Sequence, residues 1–288
     1  MVPRAILRAG LYSERVGAVE RWRELLGGWG IPEEILARAP ESPWGFPRDL
    51  MARRGRSSVE LAPGLSTRRA LEALPEGGTV LDVGVGGGGS SLPLASRAGR
   101  IVGVDSSESM LEAFRDAARG IDVEIETVLG EWPAVAPRVP PADVVVCHHV
   151  LYNVADLEPF VRALDDHARR RVVIEITWEH PLAWMNDLWR RFHGLERPDG
   201  PTAADAAEAL AELGYPVRLE RETRPPRASG FERREDAVAL VRRRLCLPPE
   251  RDPEVAEALG EYLALRDGLW SAGPPEHVVA TLWWDRSG

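Results

Sequence analysis

The chain has 288 residues, 44% apolar and 28% charged, enough to bury a sizeable core as one large domain or one domain with an appendage. A formal net charge of −9 argues against a nucleic-acid substrate, because phosphate binding needs concentrated positive charge. All 36 basic residues are arginine, which excludes Schiff-base chemistry and a phosphate-loop lysine, and the two cysteines, Cys147 and Cys246, support neither a metal cluster nor a disulfide framework.

Residues 4 to 27 read as a helix, with Ile6, Leu7, Leu11, Val19, Trp22 and Leu26 near helical spacing and Gly27, Gly28 and Gly30 ending it. Residues 31 to 58 mix short helical pieces with Pro40, Pro43, Gly45 and Pro47, so residues 1–65 are expected to form a helical N-terminal cover. A helix over 66–74 leads through Pro75-Glu76-Gly77-Gly78 into a first strand at 79–83. Further strands are predicted at 100–105, 122–128, 142–147 and 171–177, with helices near 90–98, 107–119 and 156–169 between them. In the last of these helices Asp156 is placed as a cap and Pro159 in the first turn. Leu157, Phe160, Val161 and Leu164 follow the i, i+3, i+4, i+7 rule there. Thr202 and Asp205 form a capping-box pair for a helix that runs to Leu213 and stops at Gly214. A strand at 215–223, helices at 234–245 and 253–267 and a last strand from His277 to Trp284 complete the order. Strand–helix alternation of this kind implies a mainly parallel sheet with helices on both faces. The expected division is a core over 66–224, a helical insertion or dimer contact over 225–275, and a last core strand within 276–288.

The N-terminus lacks the apolar core of a signal peptide, and no run approaches the roughly 20 apolar residues that span a bilayer. A soluble cytoplasmic protein, without a membrane partner and with a homodimer as an open option, is the expectation.

The most informative stretch is Thr79-Val80-Leu81-Asp82-Val83-Gly84-Val85-Gly86-Gly87-Gly88-Gly89, a buried strand running into a glycine turn. Glycines there let a ligand lie directly against backbone. Arg100-Ile101-Val102-Gly103-Val104-Asp105 is a second strand ending in an acid, 21 residues after Gly84, where a carboxylate can accept from two ribose hydroxyls. The turn fits both the shorter glycine loop of S-adenosylmethionine enzymes and the dinucleotide fingerprint Gly84-x-Gly86-x-x-Gly89. Three features favour the former. Asp82 lies two residues before the first glycine, the motif follows about 75 residues of preceding chain, and Gly130-Glu131-Trp132 follows the third strand.

With these residues the chain resembles the class I S-adenosylmethionine-dependent methyltransferases, through Val80 to Gly88, Ile101 to Met110, Gly130-Glu131 and Ala142 to Leu151. The resemblance implies a doubly wound, mainly parallel seven-stranded Rossmann-like sheet and S-adenosyl-L-methionine as cofactor, leaving S-adenosyl-L-homocysteine. It places Gly84, Val85 and Gly86 under the methionine part. Asp82 would hold the loop and face the amino group. Asp105 would lie on the ribose, Ser106 and Met110 beside the adenine, Glu131 at its amino group and Trp132 near the ring. His148, at the end of the fourth strand, would border the methyl. The same residues admit plainer roles, solvated strand ends for Asp82 and Asp105 and core packing for Trp132.

Methyl transfer needs a nucleophile aligned with an activated carbon, and a base only where the acceptor has a proton to lose. His148 and His149 are the candidate catalytic residues, among His148, His149, Tyr152, Trp178, Glu179 and His180 at the carboxyl ends of the strands. Arg169-Arg170-Arg171 and Arg242-Arg243-Arg244 are expected on solvated faces, whereas Arg53, Arg54 and Arg56 lie where one could meet a cofactor or substrate carboxylate. Trp178, Trp184 and Trp189, with Trp22, Trp29 and Trp44, suggest an apolar or aromatic acceptor pocket. The reading is a methyltransferase acting on oxygen or nitrogen of a small molecule, with no metal. Its rivals are an RNA or protein methyltransferase, a nicotinamide-dependent oxidoreductase, and a non-enzymatic module that keeps the cofactor site.

Overall fold

Strands covered on both faces read as continuous apolar runs, and Val144, Val145, Val146 and Cys147 are all fully buried. A computed structural model describes residues 16–224 and 230–286. In chain order these hold α1 (Ala18–Gly27), α2 (Glu33–Leu36), α3 (Arg48–Ser58), α4 (Leu65–Ala73), β1 (Gly78–Val83), β2 (Ala98–Asp105), α5 (Glu108–Ala117), β3 (Glu124–Leu129) and β4 (Ala142–His148). There follow α6 (Leu157–His167), β5 (Ala168–Thr177), α7 (Asn186–His193), α8 (Ala203–Glu212), β6 (Arg218–Arg224), α9 (Arg234–Arg244), α10 (Asp252–Leu259), β7 (Leu263–Arg266), β8 (Leu269–Ala272) and β9 (His277–Asp285).

The main sheet has seven strands in the order β3-β2-β1-β4-β5-β9-β6. Neighbours pair in parallel from β3 to β5, and β9 is antiparallel to both β5 and β6. The order reverses between β1 and β4, and crevices of open α/β sheets form at the carboxyl ends on either side of such a point. One face packs Leu81, Val145, Ile174 and Leu282 against α1, α6 and α8. The other packs Val80, Val144, Val173 and Trp283 against α4 and α5. A third cluster joins α2, α7, α9 and α10. Among the described residues no helix is long and apolar enough to cross a membrane.

Most expected elements are present, and the departures have local causes. The helix expected over 90–98 is a single 3-10 turn, Leu92–Leu94, with Pro93 inside it and β2 beginning at Ala98. α3 flanks that turn instead, tied to α5 by ion pairs from Arg48 to Asp116 and to Glu112. Asp156 does not cap α6; its carboxylate accepts from Arg23 of α1 at 3.2 Å. The capping box at Thr202 and Asp205 is formed, and Gly214 follows α8 in the left-handed region. The helix expected over 253–267 ends at Leu259, before Gly260 (φ +48°), and gives way to the β7–β8 hairpin, so the 225–275 segment is helical only in part. α7 was not expected; Leu188 and Trp189 bury one side of it. Ile6, Leu7 and Leu11 of the first expected helix lie outside the described residues.

The two arginine runs are not uniformly solvated. Arg171 lies over the Trp283 ring at 4.2 Å and pairs with Asp285 and Glu72. Arg242 is buried and pairs with Glu41 and Asp252, which join the N-terminal cover to α9 and the start of α10. Both guanidiniums trade hydration for fixed carboxylates, and Arg171 gains an aromatic face as well.

Candidate active site

Two adjacent parallel strand ends build the site. After β1 the chain turns sharply, with Gly84, Gly86 and Gly88 at φ +76°, +51° and +82°, a region that strongly favours glycine. The N–H groups of Gly84 and Val85 both donate to Val104 O of β2, at 2.8 and 3.0 Å. Val85 points its side chain into the core, leaving Gly84 and Gly86 part-exposed as bare backbone. The Gly86 N–H donates to Asp105 Oδ2 at 3.0 Å, and the Ser107 N–H donates to Asp105 Oδ1 at 2.9 Å. The Gly130 N–H donates to Asp105 O at 2.9 Å, which draws the exposed Glu131 to the end of β2. Ser106 is exposed beside Asp105, and Met110 is half-buried in the first turn of α5.

Asp82 is fully buried beneath the loop. Its Oδ2 accepts from Ser90 Oγ (2.5 Å) and Ser91 Oγ (2.6 Å), tying the far end of the glycine run back to β1. Burial raises its carboxyl pKa to about 6, against the two serine hydrogen bonds, which lower it. Trp132 belongs to the core: its indole N–H donates to Phe160 O of α6 and its ring meets His167 edge-on.

The cover closes on the loop backbone to backbone. A Cβ on Gly55 of α3 would lie 1.7 Å from Gly87 O, and one on Gly87 would lie 2.0 Å from Met51 O. Arg53, Arg54 and Arg56 share this helix but have other surroundings. Arg53 donates to Gly230 O, Arg54 lies over Phe46, and Arg56 is exposed.

At the end of β4, His148 pairs in register with Glu175 of β5. His149 follows in the left-handed region (φ +59°), with Nε2 3.3 Å from Glu175 Oε1 and its N–H on Glu175 O. Glu175 is fully buried and accepts two hydrogen bonds from Arg224 of β6 (2.9 and 2.7 Å) and one from Ser66 of α4 (2.5 Å). Burial alone would raise its pKa; the neighbouring histidines and Arg224 outweigh that and hold the carboxyl well below the usual range. Sequence reasoning missed Ser66, Glu175 and Arg224. One signal was legible, a lone acid inside the apolar run Val172-Val173-Ile174-Glu175-Ile176.

Tyr152 and His180 are packing residues. Tyr152 donates to Thr177 O and stacks on Trp22; His180 stacks on Trp29 at 3.6 Å, and burial lowers its pKa to about 3. Trp178 lies under Arg221, Trp189 is buried, and Trp44 is exposed. Beyond the end of β5 lies a cavity of about 730 Å³ whose walls include Glu179, Trp184, Asp199 and Tyr262.

A family model described as a methyltransferase domain matches residues 80–171, the span that carries the glycine loop, Asp105, Glu131, His148 and His149. The chain is 37% identical over 159 residues to a ubiquinone biosynthesis O-methyltransferase of Idiomarina loihiensis, covering 48% of this chain and 63% of that protein. It is 28% identical, over the same shares, to the protein of that name from Rhizobium rhizogenes. The chain thus spans just under two thirds of the length of these relatives. A cyclopropane-fatty-acyl-phospholipid synthase-like protein from Lactobacillus casei has the same fold, with a TM-score of 0.51 and 15% identity over 88% of this chain and 98% of that one.

Proposed function

Because the chain belongs to the class I S-adenosylmethionine-dependent methyltransferase superfamily, we propose that it transfers a methyl group to an oxygen or nitrogen atom of a small-molecule acceptor. One observation carries the reading: the bare backbone of Gly84 and Gly86 and the carboxylate of Asp105 meet at two neighbouring strand ends.

The residues present fit the cofactor. Each Asp105 oxygen accepts one backbone N–H, and a carboxylate has about four acceptor sites, so capacity for two ribose hydroxyls remains. Gly84, Val85 and Gly86 would pass beneath the methionine part, Ser106 and Met110 would flank the adenine, and Glu131 would accept from its amino group. Asp82 acts through Ser90 and Ser91 by holding the loop. When bound, S-adenosylmethionine supplies a methyl group activated by the sulfonium.

The chain's own part is alignment, exclusion of water and handling of a proton. α3 closes on Gly87, covering the glycine loop. For an acceptor hydroxyl, His149 would take the proton, with Glu175 orienting the imidazole. Oxygen is the favoured atom, since the two relatives described above are named O-methyltransferases.

Titration calorimetry with S-adenosylmethionine, S-adenosylhomocysteine and NADH tests the assignment. Binding of the first two without NADH is expected; tight NADH binding alone would favour an oxidoreductase and overturn it.

A further inference from the structure

We propose that the cavity beyond β5 receives the acceptor and selects for a positively charged group on it; this rests on the methyltransferase reading and adds the class of substrate. Glu179 begins the cavity wall two residues past Thr177, the end of β5. β5 lies two strands from β1, roughly 10 Å at ordinary strand spacing, and on the side of the sheet occupied by His148, His149 and Glu175. Asp199 lies beside Gly200, whose carbonyl accepts from Trp29 in the stack on His180. The rest of the wall includes Glu261, Tyr262, Pro274 and Pro275 of the C-terminal segment. The insertion therefore completes the cavity.

The charge of the walls is one-sided. Glu179, Asp199 and Glu261 line the cavity, and among the described residues no arginine or histidine does. The protein pairs a large share of its acids with arginine, yet among the described residues none of these three makes an ion pair. A carboxylate or phosphate ligand would meet three like charges. An ammonium would meet three acceptors, and steering by such a field strengthens as ionic strength falls. Trp184 and Tyr262 stand 5.4 Å apart and tilted by 50°, so the cavity also offers ring faces to a cation or an aromatic ring. Asn186 lies in the same wall, its Nδ2 reaching Pro198 O at 3.5 Å. A volume of about 730 Å³ suits a small organic molecule. The reacting oxygen or nitrogen is a separate atom, since a protonated amine has no lone pair to receive a methyl group.

Three catechols with a cationic, a neutral and an anionic tail test this: dopamine, 4-ethylcatechol and 3,4-dihydroxyphenylacetate. Each is titrated into the full chain with and without saturating S-adenosylhomocysteine. Dopamine is expected to bind at least ~10-fold more tightly than 4-ethylcatechol, about 1.4 kcal/mol, with the anion weakest. The preference should shrink in high salt and in an Asp199→Asn, Glu261→Gln double variant, both positions being exposed. Equal or tighter binding of the neutral or anionic catechol overturns the proposal, as does no dopamine binding at millimolar concentration. Failure of S-adenosylhomocysteine to bind while dopamine still does would remove the methyltransferase reading and leave the cation site standing.

Discussion

The Gly86 N–H donates to Asp105 Oδ2 at 3.0 Å, so the bend after β1 and the acid that ends β2 are one assembly. The carboxylate is both an anchor for the loop and the proposed grip on a ribose. Asp105→Ala should therefore weaken S-adenosylmethionine binding by about 1–3 kcal/mol, roughly 5- to 150-fold in Kd by calorimetry. An unchanged Kd would show that the sugar lies elsewhere.

The contact between Gly55 and Gly87 predicts how the cover responds to a single methyl group. In Gly55→Ala the new carbon would meet a backbone oxygen on one side and Ala117 Cβ on the other. Relief requires α3 to move off the loop. Overpacking of this kind costs about 1–3 kcal/mol, partly offset by the better helix propensity of alanine. Tm should fall by roughly 2–10 °C, with weaker cofactor binding, while Arg56→Ala at an exposed position of the same helix leaves Tm unchanged. A Gly55→Ala protein as stable as the parent would mean that α3 does not close on the glycine run.

What was legible in the sequence is what short stretches of backbone decide alone. The Asp82–Gly89 turn, the acid at 105 and the Thr202–Asp205 cap each need only a few neighbouring residues, and each lies where expected. The β7–β8 hairpin was also written locally, since Asp267-Gly268 occupies the positive-φ turn of two short apolar segments. Apolar helical spacing over 253–267 outweighed that signal. The Glu175 assembly was not legible in this way, because Ser66, His149, Glu175 and Arg224 come from four distant segments that only the sheet order unites. Nor was α3 against Gly87, a contact between two glycines 32 residues apart that have no side chains to advertise it.

Two buried carboxyls should give stability opposite pH dependences. Asp82 titrates near 6 when folded against an ordinary 3.8, so the folded state holds its proton more tightly. Its favourable contribution is complete below 3.8 and is lost as pH rises through about 6, an effect of about 3 kcal/mol. Glu175 is depressed, so its contribution is complete above the ordinary 4.5 and is lost as pH falls toward its folded value. In urea unfolding, Asp82→Asn should flatten the decline between pH 4 and 6 while keeping the acid limb. Glu175→Gln should lose the acid limb and cost about 1–3 kcal/mol at neutral pH, because Arg224 loses its bidentate partner and keeps only Glu222. An Asp82→Asn protein with the parental slope would show that the buried carboxyl is not the source.

His149 offers the sharpest test of proton transfer, because its backbone permits clean substitutions. At φ +59° asparagine and glycine are both tolerated, so His149→Asn and His149→Gly should fold with little loss of Tm. Neither touches the glycine loop or Asp105, so the Kd for S-adenosylmethionine should stay at the parental value. With a hydroxyl acceptor, kcat should fall by about 10²–10⁴, the ordinary contribution of a positioned base. Added imidazole should restore part of the rate to His149→Gly, a response that lost packing would not give. Glu175→Gln should lose a smaller factor in kcat and gain nothing from imidazole, because its histidine is present but no longer held by a carboxylate. Full turnover by His149→Gly without imidazole would show that alignment alone sets the rate and that the acceptor loses its proton by another route.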